Sequence, residues 1–100
     1  MERNFRARGG EIDIVGMHGD VLVFVEVRYR ESEEEFGSPE ETVDLRKRRK
    51  VAAAAREYIG TIPPGSWREA RFDVVAVVGR GPSAVIRHYP AAFDAKGKIL

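Results

Sequence analysis

The stretch from Glu11 to Arg28, EIDIVGMHGDVLVFVEVR, decides how this chain folds. Two apolar runs of strand length flank Met17-His18-Gly19-Asp20, a turn composition, so the stretch predicts a β-hairpin. In the first run Ile12 and Ile14 alternate with Glu11, Asp13 and Val15. The second run, 21–29, is apolar on both faces until Glu26, as in a central strand covered on both sides. Leu22, Phe24, Glu26 and Arg28 share one of its faces. Burying an unpaired charge costs several kcal/mol or more. The acids Glu11, Asp13 and Glu26 therefore mark either a face turned to water or a site.

Two hairpin registers are available. With Met17 opposite Asp20, Glu11 meets Glu26; with His18 opposite Val21, Asp13 meets Glu26. Either one puts Glu11, Asp13, Glu26 and Arg28 on one face. Neighbours across a strand pair lie roughly 4.5–8 Å apart. That spacing suits two carboxylates sharing one hard divalent cation, with waters and a phosphate completing its shell. Repulsion between the carboxylates asks for a cation or a proton between them. The bland reading stays open on pattern alone. In it Glu11 and Asp13 face solvent, and Glu26 with Arg28 is an ion pair worth about 1 kcal/mol or less.

Working outward, residues 1–8 read as a short edge strand ended by Gly9-Gly10. Beyond the hairpin, a charged loop leads to a helix. Ser38 is its expected N-cap, Pro39 its first position, and Glu41 completes a capping box. The helix stops near Gly60. Leu45, Val43, Val51, Ala52, Ala54, Ala55, Tyr58 and Ile59 form its apolar face. Asp44, Lys47 and Arg48 interrupt that face in its N-terminal half. The helix starts after a short loop from the end of the 21–29 strand and runs back over the sheet, so these three can project over the acidic cluster. Residues 60–70 read as a loop, 72–78 as a strand, and 84–89 as a last strand followed by a packed turn around Phe93. His18 and His88 have no ligand-spaced partners and read as structural. The order predicts an α+β domain, a mixed β-sheet with a long helix on one face.

The composition bounds the rest. One hundred residues allow one domain, 1–100, with a modest core. A hydrophobic content of 43% with 33% charged residues reads as soluble and globular. No apolar run approaches the roughly 20 residues of a membrane span, so no membrane partner is expected. The first residues, MERNFRARGG, carry no apolar signal-peptide segment. The absence of Cys excludes disulfides and thiolate metal sites and fits a cytoplasmic location. Basic residues gather at 3–8, 28–30 and 46–50.

The strings RNFRARGGEIDIV, VFVEVR, FGSPEETVDLRKRRKV and RFDVVAV, in this order, resemble the bacterial YraN-like family. That family is similar to restriction-endonuclease-like nucleases of the PD-(D/E)XK superfamily, and within it to archaeal Holliday junction resolvases. The resemblance implies a restriction-endonuclease-like core and Mg²⁺- or Mn²⁺-dependent hydrolysis of DNA phosphodiesters, at branched structures in the resolvase case. By position Asp13 matches the metal-binding aspartate, and Glu26 the acid of the Glu-x-Lys element. Arg28 stands where that element has lysine. The implied catalytic set is Asp13, Glu26 and Arg28, with Asp13 and Glu26 on the metal and Glu11 and Lys47 supporting. Asp73 also matches a recurring family position. Arg28, Arg30, Arg46, Lys47 and Lys50 are the expected nucleic-acid contacts. Arginine stays protonated and cannot act as a base, though it holds phosphate bidentately. Family members usually carry a helix before the RNFR string, which the chain as given lacks. One sheet face is then expected to stay uncovered and to favour self-association. Three readings follow: a metal-dependent nuclease, a catalytically weak or inactive nucleic-acid-binding module of the same fold, and an interaction scaffold.

Overall fold

The computed structural model describes residues 2–31 and 43–100. The strands are β1 (Glu2–Ala7), β2 (Gly10–His18), β3 (Val21–Arg30), β4 (Glu69–Val78) and β5 (Val85–Phe93), and helix α1 spans Leu45–Ile59. They form a five-stranded mixed sheet in the order β1-β2-β3-β4-β5, with one long helix among the described residues. The expected α+β architecture is therefore present. β3 and β4 are parallel, joined by the crossover that contains α1, and every other neighbouring pair is antiparallel.

The hairpin adopts the register with His18 opposite Val21 and Ile14 opposite Val25. A two-residue turn of this kind needs a positive φ, and Gly19 supplies it at 64°. The alternation expected along β2 breaks. Ile12 and Val15, three residues apart, are both fully buried in one core cluster, and Ile14 is only half-buried. Strict alternation places residues of odd separation on opposite faces, so the strand re-aims between them, at Asp13. The recorded β2–β3 pairing ends at Ile14–Val25, and beyond it the Asp13 carboxylate takes over, its Oδ2 accepting the Val27 amide at 2.8 Å.

The core lies between the sheet and α1. Phe24, Phe72 and Phe93 sit opposite one another on β3, β4 and β5 and stack at centroid distances of 5.4 and 5.0 Å. Tyr58 of α1 closes edge-on over Phe24 and Phe5. Val51, Ala52, Ala54 and Ala55 are the buried helix residues, and these small side chains let the helix approach closely. At Gly10 an added Cβ would come within 2.9 Å of the Lys50 carbonyl, so the start of β2 passes against the helix where only glycine fits. Leu45, expected on the apolar face, is 41% exposed.

The three charged residues that interrupt the helix pattern each have a task, and the first corrects the helix boundary. Asp44, not Ser38, caps the observed helix: its Oδ1 accepts the Lys47 amide at 2.8 Å. The Ser38–Glu41 capping box lies outside the described residues. Arg48 donates to the carbonyls of Val43 and Gly97, tying the helix start to the C-terminal turn. Lys47 reaches the sheet. The last two strands are longer than expected: β4 starts at Glu69, and β5 continues to Phe93 through an irregularity in its pairing with β4 around Asp73.

Candidate carboxylate site at the hairpin seam

Glu26 belongs to the same strand face as Leu22 and Phe24, which are core residues, and it is itself only 2% exposed. The continuous apolar run of β3 carries it into the interior. Asp13 lies beside it where β2 re-aims, one oxygen already fixed by the Val27 amide. Burial pushes the Glu26 carboxyl up to about 8, the neighbouring Asp13 carboxylate adds to the rise, and Lys47 opposes it. The Lys47 ammonium, on the first turn of α1, stands 3.4 Å from Glu26 Oε2. This is an ion-pair contact without hydrogen-bond alignment, and Oε2 is a buried oxygen with no hydrogen-bond partner among the described residues. A buried acceptor left this way costs about 1–3 kcal/mol, more for a charged group.

Arg28, two residues further on β3, is half-buried, and its Nε likewise lacks a hydrogen-bond partner. Asp13 also lines a surface cavity of about 290 Å³ with Arg3, Asn4, Ile14, Val27 and Tyr29, so solutes can reach this end of the hairpin. The seam thus gathers Asp13, Glu26 and Lys47, with Arg28 next along β3.

Glu11 does not join them. Among the described residues no group of three or more His, Asp or Glu side chains is placed to hold a metal ion, so no third acid completes the pair. Glu11 stands opposite Arg6 in the β1–β2 ladder, beyond the break at Asp13. The expectation of one face carrying Glu11 with Asp13 and Glu26 assumed unbroken alternation, and the break at Asp13 removes it. Arg46 and Lys50 are exposed on α1, while Arg30 at the end of β3 donates to the Tyr29 carbonyl.

A buried carboxylate with an unpartnered oxygen beside a half-buried one fits a hard divalent ion that keeps most of its water shell. They do not make an all-protein cage. Asp13 and Glu26 are the residues that would hold such an ion.

A second polar cluster, which the sequence reading left unassigned, surrounds Asp73. This carboxylate is 1% exposed. It accepts from Arg71 Nε at 2.9 Å and from the Ala91 amide at 3.0 Å, and lies 2.6 Å from His88 Nε2. Burial alone would raise its pKa; Arg71, the Ala91 amide and His88 outweigh that and hold it below the ordinary value. Asp73 is fully engaged in the protein, unlike Glu26. Its bond to Ala91 holds a residue whose φ is 51°, a conformation that non-glycine residues rarely adopt. The cluster pins the irregular stretch of β5, in keeping with the structural role expected of His88. The cross-strand signal for it was Arg71-x-Asp73 facing His88.

The fold and the seam define the class: a small α+β domain on a mixed sheet, with a buried and a half-buried carboxylate side by side where a hairpin meets the first turn of a helix. The chain belongs to Uncharacterised protein family UPF0102, whose sequence model matches residues 1–77. It is 48% identical over 99 residues to a UPF0102 protein of Anaeromyxobacter dehalogenans, covering 98% of this chain and 72% of that one. A UPF0102 protein of Myxococcus xanthus is 44% identical over 94 residues, covering 94% and 73%. One from Rhodococcus jostii is 42% identical over 94 residues, covering 93% and 78%. The YraN-like resemblance drawn from the sequence agrees with this assignment. Among the described residues no helix is long and apolar enough to cross a membrane.

Proposed function

We propose that the seam is the active site of a metal-dependent endonuclease acting on DNA phosphodiester bonds, branched DNA included. The observation that carries this reading is Glu26: a buried carboxylate with an unpartnered oxygen, beside a second carboxylate. A protein interior has no reason to keep such a group unless something cationic completes it. When bound, Mg²⁺ or Mn²⁺ supplies acidification of a water and neutralisation of charge on a phosphoryl oxygen. Asp13 and Glu26 hold the ion. The Arg28 guanidinium binds the scissile phosphate and stabilises the charge that develops on it. Arg30, Arg46 and Lys50 extend the cationic surface along β3 and α1 for the flanking phosphates.

A second reading rests on a specific observation. Arg28 occupies the lysine position of the resembled motif, and the site has two acids and no third among the described residues. These features suit a nucleic-acid-binding module with weak or no catalysis. One experiment separates the two. Flap, junction and duplex DNA are incubated with wild type and with Asp13→Asn, with and without Mg²⁺ or Mn²⁺. The nuclease reading expects metal-dependent cleavage that drops about 100-fold or more in the variant. Salt-sensitive binding without cleavage selects the module. Absence of salt-sensitive binding refutes both.

A further inference from the structure

We propose that Lys47 is a resident counter-ion of the seam: it occupies the cation position at Glu26 when the site is empty of metal, a divalent ion displaces it, and the released ammonium then serves as a phosphate contact. This rests on the reading of the seam as a metal site and adds how that site is kept and loaded.

The position of Lys47 on the helix is the first argument. The first turn of a helix favours acids, because its free amides and macrodipole are positive there. α1 has no acid in its first turn and begins Leu45-Arg46-Lys47-Arg48. Local helix physics therefore disfavours Lys47, and a favourable partner elsewhere has to offset this. Glu26 is that partner, 3.4 Å away.

The way Lys47 is held is the second argument. Its backbone is fixed, since its amide donates to Asp44 Oδ1 at 2.8 Å. Among the described residues its ammonium is held only by the loose contact with Glu26, and its side chain is 37% exposed where that of Glu26 is 3%. A flexible four-carbon stem on a fixed backbone, open to solvent at its tip, can leave without disturbing the helix. An arginine there would bind a carboxylate as a rigid bidentate fork and exchange less readily.

Mutual exclusion is the third argument. A divalent ion binds a carboxylate oxygen at roughly 2.0–2.1 Å. An ammonium on the same oxygen would then sit within a few ångströms of a double positive charge. The two cations cannot share Glu26 Oε2, so loading the ion expels Lys47 toward the open side of the seam.

The test is metal binding by Lys47→Met, which keeps the length of the stem and removes the charge. Mn²⁺ is titrated calorimetrically into wild type, Lys47→Met and Lys47→Arg at pH 9, where the Glu26 carboxyl has lost its proton, and duplex DNA binding is then measured at saturating Mn²⁺. Removing the competitor is expected to tighten Mn²⁺ binding several-fold, to about tenfold at most for a partly exposed pair. The same variant should bind metal-loaded DNA several-fold more weakly. Lys47→Arg, which leaves a cation on Glu26, should bind Mn²⁺ no tighter than wild type. Opposite signs in the two assays are the signature, because a residue needed only for structure would weaken both. Equal or weaker Mn²⁺ binding by Lys47→Met, with wild type binding the ion, overturns this inference alone. Failure of all three proteins to bind Mn²⁺ overturns it together with the metal-site reading.

Discussion

Replacing Glu26 with glutamine should make this protein more stable, although it removes a buried partner of Lys47. Burial and the adjacent Asp13 carboxylate raise the Glu26 pKa from 4.5 to about 8. Between those values the folded form keeps a proton that the unfolded form has released. Stability is therefore full below pH 4.5 and falls as pH rises to about 8. Each pH unit in this window costs about 1.4 kcal/mol, so the loss by pH 7 is at most about 3.5 kcal/mol. The exposed Lys47 tip admits solvent screening, which reduces the effect to about 2 kcal/mol. Glutamine keeps the shape and carries no charge at any pH. At pH 7 Glu26→Gln should then melt higher by roughly 10 °C, taking about 4–8 °C per kcal/mol for a domain of this size.

The assay is thermal and urea unfolding of both proteins from pH 5 to pH 9, comparing their difference so that the histidines cancel. The difference should grow in favour of the variant up to about pH 8 and then level off. Adding Mg²⁺ or Mn²⁺ should reverse the ranking: at a hundred times its Kd a bound ion stabilises wild type by about 2.7 kcal/mol, and the variant, with one carboxylate left, gains far less. A variant less stable than wild type at pH 7 without metal would refute the reasoning, because Glu26 would then have favourable partners that leave no vacancy for an ion.

The Asp73 cluster should behave in the opposite way. Asp73→Asn leaves Arg71 and His88 facing a neutral amide in a buried place and should cost about 2–4 kcal/mol in urea unfolding. Because the folded-state pKa of Asp73 is lowered, its contribution is present above pH 3.8 and is lost as pH falls below it; an acid titration in which the variant and wild type lose stability in parallel would remove that assignment. The sheet face opposite α1 carries a row from Tyr29 through Val77 to Ile86, with Tyr29 74% and Ile86 71% exposed. We propose that it supports self-association: sedimentation should show a concentration-dependent dimer that Ile86→Glu dissociates, and a wild-type monomer at high concentration would exclude it.

Much of the fold was legible because the signals were periodic. The hairpin, the central strand and the apolar stripe of α1 follow from spacing of two or of three to four residues. What escaped was set by single side chains acting on the backbone. Asp13 takes the Val27 amide and re-aims β2, so that Val15 joins Ile12 inside and Glu11 leaves the site. Asp44 looked like a flaw in an apolar face and is a cap. Asp73 holds an irregular turn of β5 that no periodicity announces. In each case a carboxylate accepts a backbone amide, a choice that residue type permits and that only the three-dimensional neighbourhood decides.

The same physics distinguishes four acids by role. Asp44 and Asp73 have their hydrogen bonds supplied by this chain, and the fold gains from them. Asp13 has one oxygen engaged by an amide, which fixes its position. Of the four, Glu26 alone is buried with an oxygen that no donor among the described residues reaches, and its cationic neighbour Lys47 is held loosely. A carboxylate serving only stability would be better replaced by an apolar or neutral residue at this place in the core. Its presence is an unfavourable term in the folding of the empty protein, and on the proposed reading a bound divalent ion would turn that term favourable. Stability without metal and affinity for metal are thus coupled with opposite sign at Glu26, which is why the unfolding experiment and the Mn²⁺ titration test the same proposition from two sides.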